Sequence, residues 1–303
     1  MSTAANAIPQ APMVANISPI RRFLWSVRRE VWENRYIYIA PLAVAALILV
    51  GFTLGLVHLP EKLRAAAALD PMKLHGTINQ PYSFAALLLM FTTFLVGMFY
   101  CLDALYGERR DRSILFWKSL PVSDLTAVLA KASIPFIVIP LGTWVVTVVT
   151  QALMLLLASG RLLGTDLSVW SHVPFGQDSW ILFYHLVVGH GLWYAPIWGW
   201  LLLCSAWSRR APYLWATLPL LAVGLVEKIA FNTTYFGHWL AYRFAGDPGG
   251  APPTAGKEHM MTMAAMTPAL SHFLSSPGLW FGLALGAAFL AAAVRLRRQQ
   301  GPI

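Results

Sequence analysis

Charged side chains are scarce in this chain: Asp, Glu, Lys and Arg make up 12% of 303 residues, where an ordinary soluble domain carries about a quarter. With 57% hydrophobic residues beside that scarcity, a soluble pair of domains is excluded and an integral membrane protein is indicated. Acidic residues are fewer than basic ones, 13 against 22. The basic residues sit at the edges of apolar runs, where membrane topology accounts for them and nucleic acid is not a partner. The two cysteines, Cys101 and Cys204, each lie in an apolar run without a motif, so neither a disulfide framework nor a thiolate metal site is supported. A phosphate-binding loop is missing as well. Its nearest lookalike ends in Gly256, Lys257 and Glu258, with Glu258 where a hydroxyl must hold magnesium and Ala251 where the first glycine belongs. Any ATP used must therefore be bound by another chain. No internal repeat is visible, which leaves an inverted-repeat carrier without support.

What is present is a set of six apolar runs near 37–59, 82–102, 133–158, 180–206, 212–231 and 277–295. Each is long enough to cross a hydrocarbon core of about 30 Å, which takes roughly 20 helical residues. The expected fold is an all-α integral membrane protein of six transmembrane helices, residues 37–303. His185, Gly189, His190, Gly191 and Pro196 interrupt the fourth run and predict a kink or break there. Residues 1–17 lack periodicity and are expected to form a disordered cytoplasmic tail. Ser18, Arg21, Arg22, Phe23 and Leu24 resemble a twin-arginine export signal, but Arg28, Arg29, Glu30, Glu33 and Arg35 intervene before the first apolar run, so no cleavage is expected. Wound as a helix, residues 18–35 put Ile20, Phe23, Leu24, Val27 and Val31 on one stripe, with Arg21, Arg28 and Arg35 on a flank. This predicts an amphipathic helix lying in the membrane interface, against the plainer reading of a basic juxtamembrane segment.

Counting Lys and Arg across the six spans with the amino terminus inside places 15 on the cytoplasmic side and 7 outside, together the 22 of the chain. That distribution predicts both termini cytoplasmic. The longest outer segment, 232–276, contains a Gly/Pro patch from Gly246 to Pro253, followed by a stretch at 257–275 that could form a short interfacial helix. His238, His259, Met260, Met261, Met263, Met266 and His272 lie in that outer segment. Thioethers and imidazoles can hold a soft metal, whereas Met on a short amphipathic helix is more often lipid-facing, and no metal site is assigned. His185 and His190 are five apart, which misses the four-residue spacing that puts two ligands on one helix face.

Glu227 and Lys228 are the adjacent charges inside a predicted span, and ionisable groups at membrane depth often line a pathway. The alternative is that Lys228 snorkels outward while Glu227 pairs locally. Gly51 and Gly55 in the first span and Gly278, Gly282 and Gly286 in the last recur every four residues, which suits close helix contact within or between subunits, or a lipid-facing role.

Between the second and third spans lies the cytoplasmic segment 103–131. Glu108, Arg109, Arg110, Asp111 and Arg112 form a mixed-sign cluster, Ile114, Leu115, Phe116 and Trp117 supply apolar anchors, and Pro121 with Ser123 marks a break and a helix restart. A mixed-charge rim around apolar anchors suits docking. The run from Tyr106-Gly107-Glu108-Arg109 through Asp111, Ser113-Ile114 and Ser119-Leu120-Pro121-Val122-Ser123 resembles the permease subunit of ABC-2 type transporters. That resemblance implies a half-transporter in the bacterial inner membrane, an exporter pairing with a second permease, as homodimer or heterodimer. It also implies two separate ABC ATPase subunits that bind ATP and magnesium, with no cofactor or catalytic site in this chain. By position, Glu108, Arg109, Asp111, Ser113, Ile114 and Pro121 would belong to the segment that inserts into the ATPase, and the docking reading of the residues adds Arg112, Phe116 and Trp117 to that interface. A membrane-embedded enzyme or metal-handling protein using the outer His and Met residues is the runner-up, and a membrane anchor without transport a third reading.

Overall fold

A computed structural model describes residues 18–69, 71–119, 122–163, 169–170, 173–245 and 274–303. Among them every regular element is helical, as expected where lipid offers the backbone no hydrogen bonds and each segment must satisfy its own. α1 (Pro19–Glu33) is capped by Ser18, whose Oγ accepts from the Arg21 amide at 3.3 Å. α2 (Tyr36–Gly55) passes through a tight turn, Leu56–His58, into α3 (Leu59–Leu69), and α4 (Pro71–Ala104) returns. α4 has 34 residues, roughly 50 Å of helix, so its ends project beyond a hydrocarbon core of about 30 Å.

α5 (Tyr106–Arg110), α6 (Ser113–Ser119) and α7 (Asp124–Ser133) make a helical elbow, and α7 runs through a π-helical stretch, Ile134–Val138, into α8 (Ile139–Leu162). α9 (Phe175–Tyr184), a π-helical stretch His185–Trp193 and α10 (Ala195–Trp207) follow. α11 (Pro212–Phe231), α12 (Tyr235–Ala245) and α13 (Pro277–Gln299) come last among the described residues.

Among the described residues, five helical stretches are long and apolar enough to cross a membrane: Tyr36–Ala66, Gly76–Arg110, Asp124–Leu162, Pro212–Phe231 and Pro277–Gln299. A sixth is reached if Phe175–Trp193 and Ala195–Trp207, bent by 51°, count as one span. The bend falls within the run that the sequence marks as interrupted. Pro140 has no N–H to offer the Phe136 carbonyl four residues back, and a Cβ at Gly191 would stand 3.0 Å from that oxygen. The two π-helical stretches therefore meet where one lacks a donor and the other lacks a side chain.

α10 and α13 pack most closely. Their contact uses Gly199 and Gly286, where a Cβ on either would lie 2.9 Å from a carbonyl oxygen of the facing helix. Tyr100, Ile134, Trp193, Trp198, Leu202 and Leu279 form the main core. Leu63, Ala85, Met154, Leu155 and Leu162 form a second core between α3, α4 and α8. Outward, α2 and α11 present Leu42, Leu47, Leu54, Leu218, Leu221 and Ile229 exposed. So broad an apolar exterior fits a surface that meets lipid or another apolar partner.

On α1, Val27 and Val31 pack against the main core while Ile20, Leu24, Trp25 and Trp32 stay exposed. The expected single apolar stripe is thus divided, one edge held by the protein and the other turned away from it.

Candidate functional site

The elbow is held in place by charge. Glu30 of α1, 1% exposed, lies against Lys131 of α7, 3% exposed; Lys131 Nζ donates to both Glu30 carboxylate oxygens at 3.0 Å. Tyr100 Oη donates to Glu30 at 3.0 Å and Arg29 Nη2 at 2.6 Å. Lys131 also stands 3.1 Å from Glu108 Oε1, which Arg29 approaches at 3.5 Å, and neither makes an aligned hydrogen bond to that oxygen. Arg297 of α13 pairs with the other oxygen of Glu108 and reaches Asp124 Oδ1 at 3.2 Å. Three cations (Arg29, Lys131, Arg297) thus meet three anions (Glu30, Glu108, Asp124), drawn from α1, α5, α7 and α13. Glu33 joins at the rim, 3.5 Å from Arg29.

Burial pushes the Glu30 carboxyl up, but the opposite charges of Lys131 and Arg29, with their hydrogen bonds, hold it below the ordinary glutamate value. Glu33 is raised, chiefly by burial.

A second lock joins the elbow to α10. Ser205 Oγ accepts from the Leu105 and Tyr106 amides at 3.0 and 2.9 Å, and the Arg109 guanidinium caps the carbonyls of Ala206 and Ser208 at the end of α10. A cation there also meets the negative end of the helix dipole. Leu105, Val128, Ala206, Ala293 and Val294 pack beneath.

The other face of the elbow is left open. Arg110 pairs with Asp111 at 2.9 Å and lies 3.6 Å from Asp103; its hydrogen bond holds the Asp111 carboxyl below its usual range. Arg112, at φ 59°, makes the left-handed turn from α5 to α6. Leu115 and Phe116 are 57% and 59% exposed. Trp117 is held edge-on by Phe116 at 4.8 Å and capped by the Arg29 guanidinium 3.6 Å from its ring centroid. Beside it a groove of about 520 Å³ opens between α1, α6, α7 and α13, walled by Trp25, Trp117, Arg29 and Arg298.

The residues singled out from sequence therefore divide. Arg112, Asp111 and Phe116 face outward and Trp117 lies at the edge. Glu108, Arg109 and Ile114, the last 1% exposed, turn inward and fix the segment to its own chain, so Ile114 is not an exposed anchor. Ser113 Oγ donates to the Glu108 carbonyl at 3.4 Å. Pro121 lies outside the described residues.

Glu227 is not paired with Lys228: its carboxylate accepts from Thr233 Oγ1 at 2.8 Å and from the Tyr235 and Phe236 amides at 2.6 and 2.9 Å, capping the start of α12. Gly282 and Gly286 meet neighbouring groups closely, whereas a Cβ at Gly51, Gly55 or Gly278 would meet nothing within 4 Å.

His185 is spent on its own helix, Nδ1 lying 3.1 Å from the Ile181 carbonyl. His259, His272 and the outer methionines lie outside the described residues. Among the described residues no group of three or more His, Cys, Asp or Glu could hold a metal ion.

Glu30, Lys131, Tyr100, Ser205 and Arg297 are the functional candidates that sequence reasoning passed over. For the charged ones the signal was a charge on an apolar face: Glu30 continues the line of Phe23 and Val27, and Arg297 that of Ala293 and Val294. Compared with protein-family models, curated proteins and solved structures, the chain matches none.

Proposed function

We propose that this chain is the permease subunit of an ABC transporter of the ABC-2 type, most consistent with export, in which the α5–α7 elbow transmits movement from a separate cytoplasmic ATPase. The reading includes six spans, the bent α9–α10 pair counting as one, both termini on the cytoplasmic side of a bacterial inner membrane, and a second permease subunit. One observation supports it most. The elbow is keyed by buried charges to α1, α10 and α13, yet it leaves Leu115 and Phe116 uncovered beside the Arg110, Asp111 and Arg112 cluster. A docking surface needs that combination, with an apolar centre, a charged rim and rigid support. ATP and magnesium would be held by the ATPase, and this chain would carry no catalytic residue.

The test is co-purification from membranes of the source cell. An ATPase of the ABC class is expected to copurify with the native chain and to be lost with Leu115→Asp/Phe116→Asp, the melting temperature remaining unchanged. If no such ATPase accompanies the native chain, or if the double variant retains it in full, the reading fails.

A further inference from the structure

Away from the elbow, α4, α10, α11, α12 and α13 line a half-open pocket of about 370 Å³, within the range of small-molecule sites, roughly 300–1,000 Å³. Its wall is apolar, with Phe94, Ile197, Leu220, Val223, Leu240 and Phe289 among the lining side chains. Among the described residues one charged side chain lies on it, Arg243 of α12.

Arg243 is 1% exposed. Its Nη atoms donate to the carbonyls of Trp193 and Gly278, and its guanidinium lies 4.3 Å from the Trp193 ring centroid. On the opposite side is Gly282, where a Cβ would come within 2.5 Å of the guanidinium; only glycine leaves room for it. Nε has no hydrogen-bond partner. No carboxylate among the described residues forms an ion pair with Arg243.

A positive charge is therefore buried against peptide dipoles, with one donor unspent and no counter-charge among the described residues. Such an arrangement is costly unless an anion completes it. Arg243 belongs to α12, outside the spans, but its guanidinium is buried against Trp193 and the start of α13, and a buried ionisable group packed on spanning helices is a functional-site hypothesis by default. The Nε edge of a guanidinium, together with the spare N–H of its Nη neighbour, is a fork that takes a carboxylate or phosphate side-on.

We propose that the chain binds an anionic amphiphile here, its hydrocarbon tail in the cavity and its oxyanion at Arg243. A neutral lipid tail would fill the volume but leave the charge uncompensated. The two sources of such a ligand are a free fatty acid and an anionic membrane lipid, which share this chemistry. The site does not rest on the coupling reading, since its occupancy is measured without any ATPase.

The full chain is reconstituted in nanodiscs of phosphatidylcholine and titrated with dansyl-undecanoate, followed by energy transfer from tryptophan. Saturable binding is expected, displaced by laurate or phosphatidic acid at least about tenfold more effectively than by lauryl alcohol; whichever anion displaces better identifies the source. Arg243→Gln is expected to erase the preference for acid over alcohol, and Val223→Trp, which fills the cavity from a half-exposed position, to weaken every probe. If Arg243→Gln does not fold, the acid-to-alcohol ratio on the native chain and the Val223→Trp result still decide. Equal displacement by acid and alcohol, or binding untouched by Val223→Trp, would overturn the proposal. So would an acid preference that emerges only in Asp247→Asn, since Asp247 would then be the counter-charge.

Discussion

Lys131→Met removes the cation shared by Glu30 and Glu108 while keeping a long apolar stem in its place. Lys131 Nζ makes two hydrogen bonds of 3.0 Å to Glu30 and a 3.1 Å ion contact to Glu108, so both carboxylates lose a partner inside the protein. Breaking a buried ion pair from one side costs about 3–5 kcal/mol, because the remaining charge stays desolvated. At roughly 2–4 °C per kcal/mol for a chain of comparable size, the apparent melting temperature should fall on the order of 10 °C. Cys101 and Cys204 are free and buried, so a fluorogenic maleimide that reacts on their exposure reports the transition in detergent. Glu30→Gln added to Lys131→Met leaves no bare carboxylate on α1 facing the thioether and should recover part of the loss, giving a non-additive cycle. A single-variant shift below about 2 °C, or a double variant costing the sum of the two singles, would refute the view that these charges are one coupled unit.

Acidification tests the same carboxylate from another direction. Because the Glu30 pKa is depressed in the folded chain, its contribution is complete above the ordinary glutamate value of 4.5 and is lost as pH falls through the folded value. The melting temperature should be flat with respect to Glu30 between about pH 6 and 8 and drop below about pH 4.5, and Glu30→Gln should shrink that acid limb. Gly286→Ala should lower stability by about 1–3 kcal/mol through overpacking, since its Cβ would press on the Ala195 carbonyl at 2.9 Å. Gly278→Ala, whose Cβ meets nothing, should melt like the native chain. Glu227→Ala should release the start of α12, read as faster hydrogen exchange at the Tyr235 and Phe236 amides, while Lys228→Ala leaves those amides protected.

Five long apolar helices were legible because a bilayer demands long apolar runs, and the bend in the fourth run because Gly191 and Pro196 interrupt it. Which side chains of the elbow face which way was only half legible. Ile114 and Phe116 are two positions apart, roughly 200° around a helix, so they could never have shared one docking face. Glu30 and Lys131, by contrast, are 101 residues apart in sequence, and nothing local joins them. Each could be marked only as a charge intruding on an apolar stripe, and the identity of its partner is set by how α1 lies across α7. Glu227 shows the same limit. Its place at the end of a span suggested a pathway, but the amides it caps belong to a helix that starts eight residues later, after a left-handed turn at Asn232.

The elbow buries Glu108, Arg109 and Lys131 while leaving the apolar Leu115 and Phe116 outside, the reverse of the usual surface helix at those positions. A buried ionic cluster is a poor source of stability compared with hydrocarbon of the same volume. What it supplies here is directionality: Lys131 must be within bonding distance of Glu30, and Arg297 of Glu108, for either charge to be tolerated. Under the proposed function, a push on Phe116 cannot be absorbed within α6. Arg109 and the Ser205 hydroxyl fix α5 to the end of α10, and α10 is meshed with α13 through Gly199 and Gly286 at backbone contact. Displacing α5 without α10 would strip the Arg109 guanidinium of its carbonyls, and displacing it without α13 would separate Arg297 from Glu108. The least costly response is for α10 and α13 to move with the elbow as one body. Those helices also carry part of the wall around Arg243, so a push at the cytoplasmic surface would reach the proposed ligand site through packed backbone.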